Sequence, residues 1–102
     1  MTVDRSKVMV LASFLGDSLA LGAHWIYNTA EIAEHIGRVE RLLPPPQGSF
    51  HSPKGAGEFT HYGDQTLLLL KALARSKGFD LQAFSQAWQD LFVRYQGYFD
   101  VA

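Results

Sequence analysis

Four consecutive leucines at 67–70, with Leu73 and Ala74 one turn further on, constrain this chain more than any other feature. A helix over 65–76 puts Leu67, Leu70, Leu73 and Ala74 on one face, and Leu68 and Leu69 widen that face until little polar surface remains. Such a helix predicts protein on nearly every side. Lys71, Arg75 and Lys77 charge its C-terminal half, and Gly78 supplies the stop. At the other end, Phe59, Thr60, His61, Tyr62, Gly63, Asp64, Gln65 and Thr66 join it to irregular chain. Asp64 is placed there to cap the helix. An Asp, a Thr and an amide beside the positive end of a helix suit an anionic ligand or a hydrated cation. A plain cap is the alternative.

Upstream, a first helix is expected over 4–23, because Val8, Leu11, Ala12, Leu15, Leu19 and Gly22 recur at three- and four-residue spacing. Gly16, Ala20, Gly22 and Ala23 are small enough for another helix to pack closely. Asp17 and His24 are two turns apart and point the same way if the helix continues that far. Their simpler readings are a solvated surface acid and a satisfied histidine beside Trp25 and Tyr27. Asn28 or Thr29 caps a short helix over 30–36, stopped by Gly37, with Glu34 and His35 in solvent. From 38 to 62 no regular pattern survives. Pro44, Pro45 and Pro46 force an extended course, and 52–57 bends freely. A phosphate loop is excluded there, since Lys54 precedes the glycines and no Ser or Thr follows in the required place. Asp80 caps a last helix whose stripe of Phe84, Ala87, Trp88, Leu91, Phe92, Tyr95 and Tyr98 reads as core. The class is all-α.

Composition sets the outer limits. One hundred and two residues make a single domain at most, and 47% apolar with 19% charged residues describes a folded chain. A net charge of −1 gives no case for nucleic acid or an anionic membrane as partner. The absence of cysteine removes disulfides and thiolate metal sites and fits a reducing, cytoplasmic setting. Any metal would need oxygen or imidazole ligands. Arg5 and Lys7 before an apolar run, with Ser18, Leu19 and Ala20 after it, imitate a secretory signal. Asp17 and the helical periodicity beyond it argue against that, and against a span of roughly 20 residues.

Two motifs then point to a family. Gly16-Asp17-Ser18-Leu19 resembles the Gly-Asp-x-Leu/Val-Gly segment of the ADP-ribosylglycohydrolases, and Gly63-Asp64-Gln65-Thr66 falls where that family has Thr-Asp-Asp-Thr opening an apolar helix. The resemblance covers residues 1–102 and implies the N-terminal part of an orthogonal helical bundle. The family's domains are longer, and the chain end at Tyr98 to Ala102, uncapped and aromatic, reads as one incomplete domain of that type. The implied activity is magnesium-dependent hydrolysis of an ADP-ribosyl bond, with an ADP-ribosylated substrate or ADP-ribose-like small molecule as partner. The implied roles are Asp64 and Gln65 on the metal, Asp17, His61 and Tyr62 at the substrate, and His24 with Asp17 in catalysis. His24 stands where the family commonly has a Glu, Gly63 replaces a Thr and Gln65 an Asp. The run His61 to Gln65, with His24, Trp25, Ile26 and Tyr27, resembles the branch of J-type crystallins and selenoprotein J. A non-catalytic structural or ADP-ribose-binding protein is therefore the alternative to an enzyme. The apolar and aromatic surface of the last two helices also predicts self-association.

Overall fold

The computed structural model describes residues 4–99, and all regular structure among them is helical. Helix α1 (Arg5–Ala20) runs into a 3₁₀ turn (Leu21–Ala23). Helix α2 (Thr29–Glu31) continues as a wider π-helical stretch (Ile32–Ile36), and α3 (His61–Ser76) and α4 (Leu81–Val93) follow the long irregular segment. The all-α class stands. The chain end at Asp100, Val101 and Ala102 lies outside the described residues.

Capping side chains explain most of the helix starts. Asp4 accepts from the amides of Ser6 and Lys7 at 3.1 and 3.2 Å, Asn28 from Ala30 and Glu31 at 3.0 and 3.3 Å, and Asp80 from Ala83 at 3.1 Å. Each satisfies amides that an α-helix leaves without partners. Helix α3 departs from the sequence reading. Thr60 is its cap, accepting from Tyr62 N at 3.2 Å, so the helix begins at His61 rather than Gln65. Asp64 is not the cap but lies within the first turn, its own amide bonded to the carbonyl of Thr60 at 3.0 Å. Glycine at 63 lowers helix propensity by about 1 kcal/mol relative to Ala, which is why the sequence reads as a break there. At the far end Lys77, not Gly78, takes the left-handed conformation (φ 54°), and its amide bonds to the carbonyl of Leu73.

Packing departs further. Helix α3 packs against both α1 and α4. It is not surrounded: Leu67, Leu68 and Leu69 are half-buried and Leu70 is exposed. Most of the apolar stripe read along the first helix also faces outward, with Val8 52%, Leu11 68% and Leu15 54% exposed, while Leu19 is half-buried and Gly22 buried. Among the described large apolar side chains, only Leu21 is fully buried. The physical reason is a shortage of partner elements. The chain measures 46 × 43 × 20 Å, so the slab is two helix diameters thick and most helices keep a wet face. Its accessible area of 7660 Å² exceeds the about 5,800 Å² expected for a compact protein of this mass. Its radius of gyration of 15.7 Å likewise exceeds the about 13 Å expected.

Apolar faces of that extent recruit partners. The isolated chain is accordingly expected to run above its 11.4 kDa monomer mass in size-exclusion chromatography with light scattering. A sharp monomer peak with a cooperative, high-temperature melt would contradict this. The segment Arg5–Ala23 is long and apolar enough to cross a membrane by length and composition. In this fold its Asp17 and Ser18 are instead bonded to the segment that leads into α3.

Candidate functional site

The site is built where α1 crosses the start of α3. Asp17 Oδ2 accepts from the amide of Thr60 at 2.8 Å, and its Oδ1 accepts from the Thr60 hydroxyl at 2.7 Å. The adjacent Ser18 hydroxyl donates to the carbonyl of Glu58 at 2.9 Å. The approach is so close that only glycine fits at 63. A Cβ there would collide with Asp17 Oδ2 and would sit 2.7 Å from both Asp17 Cγ and Phe59 Cβ. The same cramped crossing that suits Gly63 also lets α3 start early, because Asp17 and Thr60 together organise its first turn. Asp17 is thus a structural clamp in this fold, with both oxygens occupied by Thr60.

Asp64 has different partners. Its Oδ2 accepts from Lys54 Nζ and from the Tyr95 hydroxyl, each at 2.5 Å. Lys54 comes from the irregular segment, its side chain 7% exposed, and its ammonium also lies 4.7 Å from the Tyr95 ring centroid. Burial pushes the Tyr95 hydroxyl well above its usual range, and the hydrogen bond to Asp64 adds to that, so it remains a donor. Gln65 is also engaged: Trp88 Nε1 donates to its Oε1 at 3.0 Å, and its amide nitrogen lies 3.3 Å from His61 Nδ1.

A third cluster is aromatic and imidazole-rich. His24 follows the 3₁₀ turn with extended backbone, so the two-turn relation to Asp17 is lost and the two side chains serve different neighbours. The His24 ring lies 4.7 Å from His51, 5.8 Å from Tyr62 and 6.5 Å from His61. Trp25, held at φ 65°, meets Tyr98 at 4.7 Å and Phe50 at 5.5 Å. A positive φ at a tryptophan costs energy and persists only where surroundings enforce it. His51, 1% exposed, has no hydrogen-bond partner on either ring nitrogen among the described residues. Burial, then the neighbouring His24, His61 and Lys54, pushes its pKa down to about 4.

The structure therefore gathers His24, His61 and Tyr62 in one place, and puts Asp17 and Asp64 to separate uses. Sequence reasoning missed Lys54, Thr60, His51 and Tyr95. Thr60 had a readable signal as a hydroxyl just before a helix. In the sequence Lys54 reads only as a failed phosphate-loop residue, and Tyr95 only as core.

A model of the ADP-ribosylglycohydrolase family matches residues 1–100, and the chain belongs to that family. Among curated proteins it is similar to Crystallin J1A of Tripedalia cystophora, 28% identical over 88 residues, and to Crystallin J1B of the same animal, 27% identical over 88 residues. Each match covers 83% of this chain but 27% of the relative, so the chain spans about a quarter of their length. No solved structure matches significantly.

The family is generally metal-dependent. Magnesium demands several hard oxygens in octahedral order. Here Gly63 offers no side chain, Gln65 spends its oxygen on Trp88, and Asp64 Oδ2 is held by an ammonium and a hydroxyl. Among the described residues no group of three or more His, Asp or Glu is arranged to hold an ion. This donor set does not fit magnesium.

Proposed function

We propose that this chain uses the glycohydrolase scaffold to bind an ADP-ribosyl-like ligand without magnesium-dependent hydrolysis. The observation that carries this is the fate of Asp17. A carboxylate that the family resemblance assigns to substrate and catalysis has both oxygens committed to Thr60, over a glycine that admits no larger side chain. His24, standing where the family commonly has a Glu, sits against His51 and Tyr62 among rings. Stacked and edge-on rings suit the flat face of a base. Tyr62, exposed beside His61, and His24 are the side chains that meet the ligand in this reading; His61 supports Tyr62 from 4.1 Å. The similarity to crystallins fits a protein in which the fold outlives the chemistry.

Calorimetric titration with ADP-ribose, paired with an assay of ADP-ribose release from an ADP-ribosylated protein, tests this. Saturable binding weakened about tenfold or more by Tyr62→Ala, with no release, is the expected result; loss of one stacking ring costs about 1–3 kcal/mol. Measurable release would contradict it. No binding at all would leave the purely structural role.

A further inference from the structure

The cation that the family would bind at Asp64 has a resident counterpart. We infer that the Lys54 ammonium takes that cation's place, closing the Asp64 site with a charge the chain itself supplies. The geometry is that of a cation held in a shaped seat. Lys54 Nζ and the Tyr95 hydroxyl both lie 2.5 Å from the same carboxylate oxygen, and the Tyr95 ring faces the ammonium at 4.7 Å.

The seat extends along the lysine stem. A Cβ at Gly97 would come within 3.0 Å of Lys54 Cε, and Gly97 adopts φ +143°, which favours glycine. The stem therefore lies against backbone where a larger residue would displace it. A buried lysine pays a desolvation cost that only a close carboxylate and good hydrogen bonds offset, and Asp64, 22% exposed, provides the carboxylate. Solvent meets Asp64 in an open depression of about 420 Å³ lined by Lys54, Asp64, Leu91, Arg94, Tyr95 and Gln96. A divalent ion entering there encounters a second fixed positive charge, Arg94, besides the ammonium. Both oppose it. The inference concerns Asp64 alone and holds whatever ligand the imidazole cluster takes, so its failure and that of the binding proposal are separable.

Thermal unfolding of the full chain, with no nucleotide present, provides the test. Wild-type melting is expected to be the same in chelator and in millimolar magnesium, because a ligand that does not bind the folded state cannot raise its melting point. Lys54→Met is expected to lower the folding equilibrium constant on the order of 100-fold, as for removal of one partner from a buried pair. In an Asp64→Asn background the same substitution should cost several-fold less, since no charge is left to neutralise. If Lys54→Met alone fails to fold, the double variant must fold. The inference is overturned by a magnesium-dependent rise in wild-type melting that Asp64→Asn abolishes. It is equally overturned if Lys54→Met is as costly in both backgrounds, or if the double variant does not fold.

Discussion

Replacing Gly63 with threonine, the residue the family carries there, is expected to unfold this chain rather than restore a metal ligand. The new Cβ would strike Asp17 Oδ2 and crowd Asp17 Cγ and Phe59 Cβ at 2.7 Å. The free end of a flexible side chain relieves such a clash cheaply, but Asp17 is pinned by two hydrogen bonds to Thr60. Displacing it removes charge-assisted bonds and adds overpacking strain, together about 4 kcal/mol. That is most of the stability of a marginal domain. Gly16→Ala is the control, since nothing lies within 4 Å of a Cβ at that site and alanine favours the helix by about 1 kcal/mol. Chemical denaturation of both variants checks this. A well-folded Gly63→Thr with wild-type midpoint would show that the crossing of α1 and α3 is looser than described.

Acid is expected to destabilise the fold through His51. The folded-state pKa is about 4 against the usual 6.5, so between these values the unfolded chain binds a proton that the folded chain refuses. Stability therefore rises with pH across the window, is complete above about 6.5, and is lost progressively down to about 4, for a total of about 3 kcal/mol. The groups facing His51 give this its direction. Beyond burial, His24 after α1, His61 at the head of α3 and Lys54 in the irregular segment disfavour a proton on His51, while Trp25 and Tyr98 are neutral rings. His51→Phe should keep the ring contacts and flatten the profile between pH 6.5 and 4. Identical profiles for the two proteins would contradict the assignment.

Helix existence was legible in the sequence because periodicity and capping residues act locally. Asn28 and Asp80 cap helices as the sequence reads, and Asp4, read only as the start of the first helix, is its cap. The start of α3 was only partly legible: Thr60 is a hydroxyl just before a helix, but the Asp17 that holds it lies 43 residues away in the chain. Burial was misread for a related reason: Leu11 and Leu70 are apolar at helical spacing, yet the described elements leave both exposed. At the site, motif reading singled out Asp64 but not its partners. Lys54 and Tyr95 are 10 and 31 residues away from it, and neither spacing carries a sequence signature.

In the proposed reading the carboxylates Asp17 and Asp64 are engaged internally, and ligand recognition falls to the rings. Amide chemical-shift mapping by NMR, with ADP-ribose added in chelator and again in excess magnesium, tests this most directly. The account predicts the same perturbations in both, centred on His24, Trp25, His61 and Tyr62, with Lys54 and Asp64 unmoved by the metal. Perturbations that appear only with magnesium and centre on Asp64 would contradict it.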